Sequence, residues 1–220
     1  MTEVSPLRQD RAPLSRERIV RTALKVIDER GLDKLTMRRL GADLGVEAMS
    51  LYKHVSGKEA ILDGVRELLL GEFAAMLAAG PPSVDWRDHL ARFAHAYRAL
   101  GLAHPEAFGL LARSAERAYV AGREIAEEGL ERLIDAGLDR PTAILAQRTV
   151  VRFVLGFSLV DQAGEDAPAP ATPGELDALA REQPLVGELM RSLEGNSGQV
   201  LFDFGLTTIL DGLDQVVARA

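Results

Sequence analysis

The fold is decided by residues 35–58, which read LTMRRLGADLGVEAMSLYKHVSGK. Thr36 is a preferred helix N-cap residue, and the leucines just before it and four residues after it stand at the spacing of a hydrophobic staple. Gly45 is the residue type that most often ends a helix in a left-handed conformation. The pattern predicts a short helix between Thr36 and Gly45 and, after a tight glycine turn, another short helix over residues 47–55.

The flanking sequence predicts a helix on each side of this stretch. Apolar residues three and four apart between Ser15 and Gly31 predict an amphipathic helix with a cap at each end. The segment Ser56-Gly57-Lys58-Glu59 has capping-box spacing and predicts a long helix that runs to about Ala79, where Gly80-Pro81-Pro82 ends it. The chain therefore begins with three short helices, and the last two have the dimensions of a helix-turn-helix, whose second helix enters the major groove of DNA.

The face of residues 47–55 that would meet DNA is predicted from its spacing. Leu51 and Val55 are four residues apart and would pack inward, which leaves the opposite face for base contacts. Cations near helix N-termini suit phosphates. The predicted DNA-binding residues are Thr36, Arg38, Ala48, Met49, Ser50, Tyr52, Lys53, His54 and Lys58, with Ala48, Met49 and Lys53 nearest the base edges. By pattern alone they are equally compatible with the solvated surface of a helical bundle.

Charge is distributed unevenly along the chain. The net charge is −7, which taken alone argues against a nucleic-acid partner. Residues 1–60 nevertheless carry 12 Lys and Arg against 9 Asp and Glu, whereas residues 61–220 carry 14 against 24. A basic N-terminal part on an acidic body indicates a polyanion partner for the first and a different role for the second.

Composition excludes several classes of protein. The 220 residues are 47% hydrophobic and 27% charged, as in folded globular proteins. The chain has no cysteine, which excludes disulfides, thiolate metal sites and a cysteine nucleophile. Residues 1–13 lack the apolar segment of a secretory signal, and the apolar run 153–160 is far shorter than the ~20 residues of a membrane span. We therefore expect a cytoplasmic protein with a mobile N-terminal arm and no membrane contact.

Two late helices carry more apolar surface than one chain needs. The helix predicted over residues 142–162 is apolar around most of its circumference. The last helix, residues 200–218, has one apolar stripe and further apolar residues outside it, namely Leu201, Phe204 and Leu210. The surplus predicts that these helices pair with their symmetry mates in a homodimer. The alternative is a larger core within one chain. The proline-rich segment 163–174 between them predicts a mobile loop.

Signals for catalysis are weak. None of the four histidines has Glu three residues before it, no His-Glu-x-x-His occurs, and phosphate-binding glycine loops are absent. The positions of His89 and His95 are more typical of partly solvated or core residues than of functional ones. His104 precedes Pro105 and is near aromatic residues in sequence, which fits either a ligand contact or a helix C-cap. We expect no enzyme activity.

Residues 35–46, followed by Leu51-Tyr52-Lys53-His54-Val55 and Lys58, resemble the DNA-binding domain of the tetracycline-repressor (TetR) family of regulators. Residues 85–104, 153–162 and 201–213 resemble the C-terminal domain of its tetracycline-responsive branch. In the family the equivalents of Tyr52 and Lys58 hold phosphates, and the equivalent of Arg38 can reach a base. Ala48 and Met49 stand where tetracycline-responsive members have a glutamine and a proline, so the resemblance implies a different operator.

The resemblance also bears on the effector. His104 matches the histidine that holds the magnesium ion of the drug, but Phe93 replaces an asparagine and Val160 replaces the glutamate that completes the metal site. One imidazole facing an aliphatic side chain is a poor Mg²⁺ site. We therefore expect no metal, no cofactor and a largely hydrophobic or aromatic effector. The predicted ligand-binding residues are Phe93, Tyr97, His104, Phe108, Gln147, Phe153 and Phe157, with His104 and Gln147 as orienting groups.

Together these observations predict an all-α chain with an N-terminal three-helix helix-turn-helix domain, residues 1–57, and a C-terminal helical ligand-binding and dimerisation domain, residues 58–220. The predicted function is a ligand-responsive repressor that a small molecule releases from a palindromic double-stranded operator. The alternative is a helical small-molecule-binding or metabolic protein without specific DNA binding. Duplex binding that weakens steeply with salt would distinguish the two.

Overall fold

The computed structural model describes residues 13–162, 172–195 and 198–219. These residues form twelve α-helices, one 3₁₀ turn and no strand, so the predicted all-α class is confirmed. The helices are α1 (Arg16–Arg30), α2 (Met37–Leu44), α3 (Ala48–Leu51), α4 (Lys58–Ala78), α5 (Trp86–Ala103), α6 (Pro105–Arg113), α7 (Ala115–Ala121), α8 (Arg123–Asp135), α9 (Arg140–Gln162), α10 (Pro173–Glu182), α11 (Pro184–Gly195) and α12 (Gly198–Val217).

The predicted caps of the first two helices are present. Ser15 Oγ accepts a hydrogen bond from the Arg18 amide at 3.2 Å, and Thr36 Oγ1 accepts one from the Arg39 amide at 3.1 Å. Gly45 ends α2 in the left-handed region, with φ 71° and ψ 32°. Side chains other than glycine rarely adopt this conformation, so Gly45 sets the turn that leads into α3.

The third helix is shorter than the sequence predicts. Instead of residues 47–55, α3 covers only Ala48–Leu51, and a turn comes next in which the Leu51 carbonyl accepts from the amides of both His54 and Val55. Val55 after this turn is buried, and Gly57 before α4 has a φ of 151°. The DNA-facing residues after Leu51 therefore lie on a turn and not on a helix.

The helices assemble into two compact units whose boundary differs from the predicted one after residue 57. The first unit holds the described residues up to Leu70 together with Glu106–Ala121, and the second holds Gly71–Pro105 with the described residues from Gly122 onward. Helix α4 contributes residues to both units. The core of the first unit is formed by α1 to α4 and α6 and contains Ile19, Ile27, Leu40, Leu51, Val65 and Phe108, each at most 1% exposed.

The second unit is built on α5, α8, α9 and α12. Phe202, Leu206 and Leu210 of α12 are buried, whereas Leu201 and Phe204 are 55% and 71% exposed. The prediction that Leu210 lies outside the core was wrong, because Leu210 continues the buried i, i+4 stripe of Phe202 and Leu206. The exposed apolar residues of α12, with Leu145 and Val160 of α9, agree with a dimer surface.

Two predicted segments lie largely outside the described residues. These are residues 163–171 of the predicted loop and residues 1–12 of the predicted arm. Residues 172–174 begin a helix, since Thr172 and Glu175 form a reciprocal capping box at the start of α10.

Helix α9 is long and apolar enough over Arg140–Asp161 to cross a membrane if only length and hydropathy are considered. This differs from the expectation, which rested on the short run 153–160. The core helix of a soluble protein passes the same test. In this fold α9 packs against α5, α8 and α12, and 33% of the apolar window is buried.

Candidate DNA interface and ligand cavity

The predicted DNA-binding residues lie on the solvent-facing side of the helix-turn-helix. Met49 is 72% exposed and Tyr52 is 48% exposed. Ala48 and Ser50 are half-buried, and the remaining residues of the set are exposed, namely Thr36, Arg38, Lys53, His54 and Lys58. Leu51 and Val55 are buried, as the pattern predicts. The packing of these two apolar side chains fixes which side of α3 and its turn faces solvent.

Basic side chains on this surface are not neutralised by nearby acids. Within the described residues, no carboxylate lies within 4 Å of the side-chain nitrogens of Arg38, Lys53, His54 or Lys58. By contrast Arg39, on the same helix as Arg38, is 3.1 Å from Asp43. An uncompensated positive surface on a helix-turn-helix is suited to the phosphates of a duplex.

The turn before α3 depends on a close backbone approach at Gly41. A Cβ atom there would lie 2.9 Å from the Val46 carbonyl oxygen and 3.1 Å from the Ala48 nitrogen. Gly41 therefore lets the end of α2 pack directly against the start of α3. This contact sets the relative position of the two helices that carry the candidate DNA interface.

The predicted ligand-binding residues do not form one cluster. Phe93 and Tyr97 of α5 pack with Phe73 of α4, with ring centroids 5.0 to 5.7 Å apart. The aromatic residues of α9 pack instead with α12 and with the guanidinium of Arg98. This second group consists of Phe153, Phe157 and Phe202. The aromatic part of the predicted site is thus divided between two groups within the second unit.

The other predicted members have partners of their own. His104 Nε2 lies 2.8 Å from Glu72 Oε2, and Gln147 donates to the Ala126 carbonyl at 3.2 Å. His104 is also the C-cap residue of α5, its amide donating to the Leu100 carbonyl. Phe108 is fully buried and belongs to the first unit.

A cavity of about 350 Å³ opens elsewhere in the second unit. The end of α4, the loop 80–83, the first turns of α5 and the middle of α8 line it. Its polar lining includes His89 and Arg92, and its apolar lining includes Leu77 and Ile125. This site was not predicted from the sequence, because its residues come from four segments, of which α8 is far from the others in the chain. The spacing of His89 and Arg92, three apart on one helix, was the available signal.

Within the described residues, no group of three or more His, Asp or Glu side chains is arranged to hold a metal ion.

Burial lowers the pKa of His89, and the charge of Arg132 lowers it further, so this imidazole is neutral at pH 7.

The fold and the exposed basic surface define a helix-turn-helix DNA-binding protein with a helical second unit. Comparison with known proteins identifies the family. Residues 19–65 match the model of bacterial regulatory proteins of the tetR family, and residues 79–217 match that of the tetracyclin repressor-like C-terminal domain. The chain belongs to the TetR family.

Individual relatives are similar to this chain along nearly its whole length. The class A tetracycline repressor protein from transposon 1721 of Escherichia coli is 31% identical over 195 residues, which are 89% of this chain and 88% of that protein. A possible TetR family regulator from Streptomyces coelicolor A3(2) has a TM-score of 0.76 at 30% identity, covering 92% and 100% of the two chains. Mycobacterium smegmatis BioQ, solved with its double-stranded DNA operator, has a TM-score of 0.65 at 26% identity, covering 91% and 98%.

As a member of this family the chain is a ligand-responsive transcriptional repressor that acts as a homodimer on double-stranded DNA. The alternative of a helical binding or metabolic protein without specific DNA binding is thereby set aside. Its relatives are transcriptional regulators.

Proposed function

We propose that the repressor contacts the phosphate backbone of the operator through Arg38, Tyr52, His54 and Lys58. Base edges are contacted by Ala48, Met49 and Lys53. Thr36 and Ser50 complete the contact surface at its edges. The observation that carries this proposal is the set of exposed cations without acidic partners on the helix-turn-helix. Because Met49 is the most exposed of the apolar residues here, it can contact a thymine methyl group.

Homodimer symmetry determines the form of the operator. Two recognition elements related by a two-fold axis require a near-palindrome with half-sites about one duplex turn apart, roughly 34–36 Å. Selection of bound duplexes from a genomic pool tests this requirement directly. Enriched sequences without an inverted repeat, or light scattering of a monomer at micromolar concentration, would contradict it.

We further propose that the effector binds in the second unit without a metal and is mostly apolar. The apolar cavity lining and the engagement of His104 by Glu72 support this proposal. A tetracycline that stabilises the protein only with Mg²⁺, and also releases operator, would contradict it. The measurement is a thermal shift with tetracycline, with and without Mg²⁺.

Induction in this proposal moves α4, which carries Lys58 at its start and contributes residues to both units. A change in its tilt would alter the separation of the two recognition elements. By reciprocity, operator DNA must weaken effector binding by the same factor, commonly about 5 to 150. Calorimetry of the effector with and without saturating operator measures this factor, and identical affinities would exclude the induction model.

We place the protein in the cytoplasm with its operator and assign the chain no catalytic role. A decisive test is operator binding across a salt series. A repressor that neutralises several phosphates loses affinity steeply as salt rises, with log K falling linearly against log salt. Affinity that does not change with salt would exclude the phosphate contacts proposed above.

A further inference from the structure

The cavity beside α5 combines an apolar body with a small number of polar groups. Leu77, Pro82 and Ile125 supply apolar lining, and Arg92 and His89 supply polar lining. Its volume of about 350 Å³ falls within the range of small-molecule sites. All of these residues belong to the second unit.

Arg92 holds a positive charge in this cavity without an acidic partner. Its guanidinium donates to the Leu77 carbonyl at 3.0 Å, to Ser83 Oγ at 3.3 Å and to the Pro81 carbonyl. All three acceptors are neutral, and no carboxylate of the described residues lies within ion-pair distance of Arg92. The guanidinium also lies against Gly80, where a Cβ atom would clash with Nη2. The loop thus fixes the cation in place without neutralising it.

His89, one helical turn from Arg92, is a buried polar residue of the cavity lining. It is 7% exposed, and its Nε2 has no hydrogen-bond partner among the described residues. This nitrogen lies close to Gly129 of α8, where a Cβ atom would be 3.4 Å from it. Buried polar atoms without partners are few in folded proteins and often mark functional sites.

The neighbouring charges leave the cavity positive. Arg132 lines it too but is paired with Glu128 at 3.0 Å, so these two charges offset each other. Arg92 remains as the uncompensated charge. A guanidinium that lies among neutral acceptors beside apolar surface is complementary to a carboxylate on an apolar body.

We propose that this cavity is the effector site and that the effector is a small carboxylic acid with an aromatic or aliphatic body, its carboxylate on Arg92 and its body against Leu77 and Ile125. This inference rests on the proposed function, because it identifies the cavity with the site whose occupation releases the operator. It assigns the contact with the carboxylate to Arg92 and not to His104, which is engaged by Glu72.

Paired acids and amides test the charge requirement. Phenylacetate and 2-naphthoate, each with its primary amide, are titrated by calorimetry into the full-length homodimer. At least one acid is expected to bind about tenfold or more tightly than its amide, since a charge-assisted hydrogen bond is about twice as strong as a neutral one. Equal affinity of acid and amide in both pairs, or no binding of either acid, overturns the proposal.

Variants test which residue causes the difference in affinity between acid and amide. Arg92→Gln is expected to abolish the preference for acid over amide, and Arg92→Lys is expected to keep most of it although Lys cannot reproduce the three loop contacts. Arg140→Gln, an exposed cation of the same unit outside the cavity, is the matched control and should change nothing. Retention of the preference in Arg92→Gln overturns the assignment, as does its loss in Arg140→Gln.

Filling the cavity provides an independent test that leaves the cation untouched. Ala78 is exposed and lines the cavity, whereas Ala75 is exposed and does not. Ala78→Phe is expected to weaken both acid and amide at least tenfold, and Ala75→Phe is expected to leave both unchanged. Thermal unfolding of each variant shows that it is folded. Undiminished binding in Ala78→Phe overturns the location.

Operator release is measured separately, by fluorescence anisotropy of a labelled duplex from the genomic selection. The acid that binds is expected to lower operator affinity in the wild type and not in Arg92→Gln. Binding of the acid without release overturns its assignment as effector. If the unliganded protein binds no duplex, the proposed function fails, and the calorimetry still reports on the cavity.

Discussion

The exposed cations of the helix-turn-helix in the first unit and the buried Arg98 in the second unit differ in their partners. Arg38, Lys53 and Lys58 face solvent, and no carboxylate of the described residues lies within 4 Å of them. In the second unit Arg98 is 7% exposed and is held at 3.0 Å by Asp161 and at 2.6 Å by Gln199. Water stabilises an exposed cation at little cost, whereas a buried one requires partners. A cation that is half-buried and still lacks an acidic partner, such as Arg92, therefore indicates where an anionic ligand is expected.

The largest effect is expected where a buried cation loses its acid. Asp161→Ala leaves Arg98 with Gln199 and two aromatic rings, but without a counter-charge. Breaking a fully buried ion pair costs roughly 3–5 kcal/mol. Because the Asp161 side chain is 31% exposed, we expect a loss of about 2–3 kcal/mol, somewhat less than for a buried pair. Urea unfolding at a fixed protein concentration measures it, since the protein is a homodimer.

The matched control for this change is Asp214→Ala. Asp214 pairs with Arg87, which is more exposed than Arg98 and keeps Asp211 at 2.5 Å as a second partner. Exposed ion pairs contribute about 0–1 kcal/mol, so this variant should lose little stability. Equal losses in the two variants would show that burial does not distinguish the cations of the second unit.

A smaller effect, on operator affinity, is expected for the exposed cations of the helix-turn-helix. Lys53→Ala should cost roughly 1–3 kcal/mol of operator affinity and change the preferred sequence if Lys53 reads a guanine. Lys58→Ala should weaken all duplexes nearly uniformly and reduce the salt slope by about one. Repeating the duplex selection with each variant separates the two roles. An unchanged sequence preference in Lys53→Ala would remove that residue from the base contacts.

Sequence was sufficient for the first unit because its determinants are local. Ser15, Thr36 and Gly45 act within a few residues of their own positions, and each forms the predicted cap or turn. The end of α3 was mispredicted, because the apolar spacing of Leu51 and Val55 fits a helix as well as it fits the turn that the backbone forms after Leu51.

Sequence was insufficient for the ligand site because its determinants are not local. Aromatic residues of α5 and α9 look equivalent in the sequence, but they pack into two groups around Phe73 and Phe202 respectively. His104 stood out by its aromatic neighbours, whereas the structure pairs it with Glu72, 32 residues earlier in the chain. The packing of the helices determines which polar groups lack partners, and the sequence alone does not show this packing.

The buried imidazole of the cavity makes stability depend on pH. Burial and then Arg132 and Arg92 lower the pKa of His89, while Glu128 and Asp88 oppose the shift. Below the ordinary value of 6.5 the unfolded chain takes up a proton that the folded protein resists. The free energy of unfolding should therefore fall as pH decreases through 6.5. His89→Leu should reduce this dependence in urea unfolding between pH 7.5 and 5.5, whereas His54→Gln should not. A pH dependence unchanged in His89→Leu would contradict the assignment.

The smallest effect is expected for an exposed ion pair that joins α4 to α7 within the first unit. Asp63 accepts from Arg117 and also from Arg66 at 2.7 Å, and Arg66 Nε in turn donates to the Leu110 carbonyl. The hydrogen bond from Arg117, with the charges of both arginines, holds the pKa of Asp63 below 3.8. A lowered carboxyl pKa means that the stabilisation is present above pH 3.8 and is lost as pH falls further.

Arg117 is half exposed, so its pair with Asp63 should contribute little to the free energy of unfolding, and less in high salt. A double-mutant cycle of Arg117→Ala and Asp63→Asn, by urea unfolding at pH 7 and in 1 M salt, measures this coupling. Arg113→Ala, an exposed cation on α6, serves as the control. The buried Arg66 keeps its contact with Asp63 when Arg117 is removed, which is why the expected loss is small. A coupling as large as the loss expected for Asp161→Ala, and persistent in 1 M salt, would show that this pair behaves like the buried pair of Arg98 and not like an exposed ion pair.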